Sequence, residues 1–171
     1  MASGADHLLM LDDNQEVWSL GCAESGQLGR VSCDTKCCYC NSNNPLKVSS
    51  QFSAKGGRRG ASKILNPQLI ALRRITRRNG NVVDVACGQF SSFLITNTGK
   101  VIGFGLNNCF QLGDFSDREI HFSPAVIPFK HDGKTVNVKQ LASGMHHTVL
   151  LSAEGNLSHR TRDQIRFTSS P

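Results

Sequence analysis

The stretch that decides the fold runs from Ala86 to Gly113, ACGQFSSFLITNTGKVIGFGLNNCFQLG. The chain carries it again from Ala2 to Gly29, as ASGADHLLMLDDNQEVWSLGCAESGQLG, and the two lie over each other without a gap. A small residue, a Gly, two variable positions, an apolar run, a turn, a Val, a small–apolar–Gly triplet and a closing Gln-Leu-Gly all coincide. A third copy, ASGMHHTVLLSAEGNL, begins at Ala142 and stops matching after Leu157. Internal repetition on this scale names the architecture before any single motif does.

Within a copy the local chemistry is that of a β-hairpin. His7 to Leu11 is an apolar run of strand length, Asp12-Asp13-Asn14-Gln15 is turn chemistry, and Glu16 to Leu20 alternates with a period of two. The second copy follows the same plan, with Ser92 to Thr96, a turn at Asn97-Thr98-Gly99, and Val101 to Gly105. Val82 to Ala86 supplies a strand before it, and in the third copy Val138 to Ala142 pairs with Thr148 to Ser152. Strands recur throughout and no segment shows a convincing helical period, so an all-β repeat protein is expected. In such a protein each unit hides its apolar face against a neighbour.

The repeats divide the chain. Residues 1–29 are the first repeat, 82–113 the second, and 114–157 a connection with a truncated third. Residues 30–81 are a basic, Cys-containing insertion with the start of the next blade, expected to be a long exposed loop. Within it, Pro67 to Ile75 is expected to form a short strand or a single helical turn. Residues 158–171 form a divergent tail: where the other copies place Ser19-Leu20-Gly21 and Gly103-Phe104-Gly105, this segment has His159, Arg160 and Thr161.

The net charge of +6 suits an acidic partner, nucleic acid or an acidic protein surface, although a solvated basic loop explains it equally well. Seven cysteines, with no basic n-region within MASGADHLLML, predict an intracellular, reduced chain without a disulfide framework. No stretch approaches the roughly 20 apolar residues of a membrane-spanning helix, so no membrane partner is expected.

These motifs, in this order, carry a resemblance. ASGxDHxxML, SLGxxxxGQLGR, KGGRRG, ACG, GFGLNNxxQLG and ASGMHHTVLL follow one another as in the middle blades of the regulator of chromosome condensation family, over Ala2 to Leu157. The resemblance implies a seven-bladed β-propeller of four-stranded blades. This chain would hold about two and a half of those blades, as an incomplete propeller. It also implies a guanine-nucleotide exchange factor that promotes release of nucleotide from a Ran-like small GTPase bound on one rim. The resemblance further implies chromatin as a partner to be expected, through histones or DNA, and the nucleus as the compartment, with the cytoplasm as the alternative. Two other functions stay open: a non-catalytic propeller-repeat interaction module, and a truncated chain inactive by itself.

Asp6 and His146 occupy the same place in their copies, and Phe90 fills it in the second. The resemblance implies that this carboxylate and imidazole face the GTPase; on local chemistry alone they would only bond turn amides. His7, Ser91 and His147 come next, where a recurring polar residue is expected to satisfy groups between blades. Trp18, Phe93 and Phe104 are expected to pack the blades. Arg58, Arg59, Arg73, Arg74, Arg77 and Arg78 form the basic run, with no interleaved aromatics, so backbone electrostatics rather than base reading is the expected use.

Cys33, Cys37, Cys38 and Cys40 supply the four thiolates of a tetrahedral zinc site. C-x3-C-C-x-C lacks paired C-x2-C knuckles, however, and neighbouring Cys37 and Cys38 point apart in an extended chain, so free thiols and no metal are expected. Cys22, Cys87 and Cys109 fit small core or turn positions. No G-x-x-x-x-G-K-[ST], G-x-S-x-G or H-E-x-x-H occurs. No cofactor, small-molecule substrate or covalent chemistry is expected.

Overall fold

Period-two alternation closed by Asp-, Asn- and Gly-rich turns folds each copy into a hairpin, and flanking strands widen the hairpins into sheets. The computed structural model describes residues 1–30, 64–113, 118–131 and 134–160. Blade 1 is an antiparallel sheet of β1 (Ala2–Ser3), β2 (His7–Leu11), β3 (Val17–Gly21) and β4 (Ile64–Leu69), in that order. A short helix, α1 (Arg73–Asn79), leads into blade 2, whose strands are β5 (Val82–Cys87), β6 (Ser91–Thr96), β7 (Val101–Leu106) and β8 (Ile120–Ile127). The two-residue strands β9 (Lys130–His131) and β10 (Lys134–Thr135) pair before blade 3, which has β11 (Val138–Ser143), β12 (Thr148–Ser152) and β13 (Leu157–Arg160).

The first two copies are structurally equivalent. In blade 1 the register runs from His7↔Gly21 to Leu11↔Val17, and in blade 2 from Ser91↔Gly105 to Ile95↔Val101, the same pairs once the copies are aligned. The turns match as well. Asp12 N–H donates to the Glu16 carbonyl at 3.0 Å, Thr96 to Lys100 at 2.9 Å, and Ser152 to Asn156 at 2.9 Å. A glycine is obligatory near the end of the third strand in blades 1 and 2: Gly21 and Gly105 have φ of 114° and 106°. A Cβ on Gly105 would lie 2.5 Å from the Phe90 carbonyl oxygen.

Blade 2 is the filling of a sandwich. All six residues of β6 are buried, and they divide by parity as a strand dictates. Leu94 joins Leu9, Val17, Ile70, Leu72, Val82, Val85, Ile102 and Phe104 between blades 1 and 2. Phe93 and Ile95 turn the other way and join Val101, Leu112, Ile127, Phe129, Val138 and Leu150 between blades 2 and 3. The second strands of blades 1 and 3, β2 and β12, instead alternate buried with half-buried residues, since among the described residues a neighbouring blade covers one of their faces. Phe93 and Phe104 thus pack blades, as expected. Trp18 is half-buried, with its indole N–H donating to Asp12 Oδ2 at 3.1 Å.

Three features differ from the sequence-based expectations. The end of the insertion closes blade 1 rather than opening the next blade, since β4 pairs with β3 (Trp18↔Leu69, Gly21↔Ile64). Both a strand and a helix form there. Only Leu72, the N-cap residue just before α1, and the partly buried Ile75 within it meet the core, too short a pattern for a helical period to show. Finally, the segment drawn as divergent from Ser158 enters β13: Val149 pairs with His159 and Thr148 with Arg160. Backbone pairing there survives the loss of the side-chain pattern.

Candidate partner-binding rim

The Gln-Leu-Gly that closes each copy links one blade to the next, and its chemistry explains the residue types. Gln27 Oε1 accepts the Ser25 N–H at 2.9 Å, and Gln111 Oε1 the Cys109 N–H at 2.8 Å, so each buried glutamine ties down its own loop. Its carbonyl oxygen faces outward to the following blade. Ser92 Oγ donates to the Gln27 carbonyl at 2.7 Å, and Thr148 Oγ1 to that of Gln111 at 2.6 Å. Leu28 and Leu112 fill the core beside these links. Gly29, at φ 62°, leaves room for the Phe104 ring of the next blade.

His7 shares the first junction. It is 4% exposed, and its Nε2 lies 2.9 Å from Ser92 Oγ. The single hydroxyl hydrogen of Ser92 is committed to Gln27, so His7 Nε2 carries the hydrogen and donates. Nδ1 is buried without a hydrogen-bond partner. Burial pushes the imidazole down to about 4, against the opposing pull of the Ser91 backbone and the Asp6 charge. His7 therefore stays neutral between blades. His147, its counterpart, is exposed, with its ring centroid 5.9 Å from that of His159.

Asp6, Phe90 and His146 stand one residue earlier, in three matching turns. Gly4, Gly88 and Gly144 each donate N–H to the carbonyl three residues on (His7, Ser91 and His147) at 2.9 Å. The turns are also tied to each other: Ala5 N–H donates to the Gln89 carbonyl and Gln89 N–H to the Gly144 carbonyl, both at 3.1 Å. Asp6 and His146 are exposed, and Phe90 is half-buried between them. Exposed Glu24 lies on the loop that follows β3 at the same end of blade 1.

The arginines of α1 occupy the opposite rim. Ile70 N–H bonds the Val17 carbonyl at 2.8 Å beside the blade 1 hairpin turn, and Asn97 N–H bonds Asn81 at 2.9 Å beside that of blade 2. Both turns lie at the far ends of β2 and β6 from Asp6 and Phe90. Arg73, Arg74, Arg77 and Arg78 are all exposed there. Arg58, Arg59, Cys33, Cys37, Cys38 and Cys40 lie outside the described residues. Among the described residues, Cys22, Cys87 and Cys109 are free thiols, and burial pushes Cys87 up to about 12. No group of three or more His, Cys, Asp or Glu side chains among them could hold a metal ion. No described helix is long and apolar enough to cross a membrane.

Sequence comparison fits this geometry. Models of the regulator of chromosome condensation (RCC1) repeat match residues 14–95 and 82–111. The chain belongs to the RCC1-repeat family. It is 35% identical over 156 residues to the Regulator of chromosome condensation of Mus musculus, covering 91% of this chain and 32% of that relative. It is 28% identical over 160 residues to the guanine nucleotide exchange factor SRM1 of Saccharomyces cerevisiae, covering 92% of this chain and 26% of that protein. The crystal structure of Kap60 bound to yeast RCC1 (Prp20) matches with a TM-score of 0.62 at 27% identity, over 92% of this chain and 28% of that one. The chain thus spans about a third or less of the length of these relatives, and its three blades are a sector of the RCC1 β-propeller.

The repeat alignment found the row of Asp6, Phe90 and His146, and the structure brings it onto one rim. It did not bring out the hydroxyl-to-glutamine link, although Ser92 and Thr148 align with each other and only Leu8 of the first copy breaks the series. A helical turn is one of the two sequence readings of Pro67 to Ile75, but neither its extent to Asn79 nor the separation of the arginines from that rim is legible there.

Proposed function

We propose that this chain is the GTPase-facing part of an RCC1-type guanine-nucleotide exchange factor, with Asp6 and His146 contacting a Ran-like GTPase. The observation that carries it is the row of matching turns in which both side chains are exposed while the backbone is fixed by the Ala5–Gln89–Gly144 hydrogen bonds. The named exchange factor among the relatives supports it. No bond chemistry is needed. A rim that binds the nucleotide-free GTPase more tightly than the loaded form must weaken nucleotide binding by the same factor. Rigid turns suit that task, since a preordered surface loses little freedom on docking.

The basic surface of α1 supports a second contact, with an acidic partner such as DNA or histones, in keeping with a nuclear protein. Arg73/Arg77 and Arg74/Arg78 are like-charged pairs one turn apart, an arrangement that disfavours an isolated helix and that an anionic partner relieves.

The test is release of a fluorescent guanine nucleotide from loaded Ran on addition of the chain. Acceleration abolished by Asp6→Ala with His146→Ala supports the proposal. Binding without acceleration would make the chain an interaction module, and neither would make it inactive by itself.

A further inference from the structure

Two apolar side chains stand on this rim at positions where the matching turns carry other residue types. The place of Phe90 is filled by Asp6 and His146 in the other copies, and that of Met145 by Ala5 and Gln89, so the turn requires neither an aromatic nor a thioether there. Met145 is nevertheless 47% exposed. The bond from Gln89 N–H to the Gly144 carbonyl, at 3.1 Å, sets the turn carrying Phe90 directly beside the turn carrying Met145. Two apolar residues therefore stand on neighbouring turns of the row that begins with Asp6 in blade 1 and ends with His146 in blade 3.

Interfaces are enriched in Phe and Met, and binding energy concentrates on a few central apolar anchors ringed by polar groups. We infer that Phe90 and Met145 form the apolar centre of the docking rim, taking an aliphatic or aromatic side chain of the GTPase while Asp6 faces a cationic one. This rests on the proposal that the rim binds a Ran-like GTPase. The carboxylates of Asp6 and Glu24 at the blade 1 end give the surface its charge preference, and the arginines of α1, on the far rim, do not contribute to it.

The test is equilibrium binding of the full chain to nucleotide-depleted Ran, with variants whose thermal unfolding is recorded alongside. Met145→Ala and Phe90→Ala should each weaken binding by tenfold or more. Phe90→Tyr, which keeps the ring, should stay within twofold of wild type, as should Leu157→Ala, which removes a 70% exposed side chain from β13 outside the rim. Should Phe90→Ala unfold, Met145→Ala decides, because its side chain is exposed. If wild type binds and Met145→Ala binds equally well, the apolar centre is refuted while the rim stands, provided Asp6→Ala still weakens binding. If wild type does not bind Ran at all, the rim and its centre fall together.

Discussion

The Ser92 hydroxyl donates to the Gln27 carbonyl oxygen across the boundary between blades 1 and 2, at 2.7 Å, with both residues buried. Thr148 repeats the contact with Gln111 at the next boundary. One hydroxyl per junction thus satisfies a carbonyl that the Gln-Leu-Gly turn aims away from its own blade. Ser92→Ala strands that acceptor and the His7 N–H together. Buried polar groups left without partners cost about 1–3 kcal/mol each. Urea unfolding should accordingly show Ser92→Ala destabilised by about 2–6 kcal/mol, and equal stability would mean that the link contributes nothing.

His7 makes this junction sensitive to acid. Its imidazole titrates near 4 in the folded chain, against an ordinary value of 6.5. Above pH 6.5 both states hold it neutral and it adds no pH dependence. As pH falls from 6.5 towards 4 the unfolded chain takes up a proton that the folded chain refuses, so stability drops, by about 3 kcal/mol in all. His7→Gln keeps a donor for Ser92 and cannot titrate. The stability difference between wild type and His7→Gln, followed from pH 7 to pH 4, should shift against wild type by that amount; a constant difference would contradict a buried neutral imidazole.

Gly105→Ala should be among the most damaging single changes in the chain. It combines a left-handed φ of 106° with a Cβ placed against the Phe90 carbonyl, inside the hairpin that both neighbouring blades enclose. Backbone strain of this kind costs about 1–3 kcal/mol before the clash is counted. Circular dichroism should show a lowered melting temperature or loss of folded protein, whereas Gly155→Ala, also at positive φ but with nothing near its Cβ, should lose far less.

The hairpins could be read from the sequence because the Ala2 and Ala86 copies share apolar parity, turn residues and closing glycines, each with a local physical cause. The burial of every β6 residue could not, since it depends on blades on both sides; a strand read alone gives no sign that Ser92 and Thr96 face a neighbour rather than water. The extent of α1 escaped because two apolar residues make no period. Chemistry at the rim was legible only as position: alignment put Asp6, Phe90 and His146 in register, but which rim they share, and that Arg73 to Arg78 lie on the other, required β4 and α1 to be placed.

Stopped-flow release of fluorescent nucleotide from Ran separates the roles of the two rims. Two variants are compared with wild type: Asp6→Ala with His146→Ala on one rim, and Ala at Arg73, Arg74, Arg77 and Arg78 on the other. The first should lose accelerated release, while the second retains it within about twofold and loses only salt-dependent binding to DNA or acidic protein. Release that is unaffected by the first variant, or abolished by the second, would contradict that division of roles.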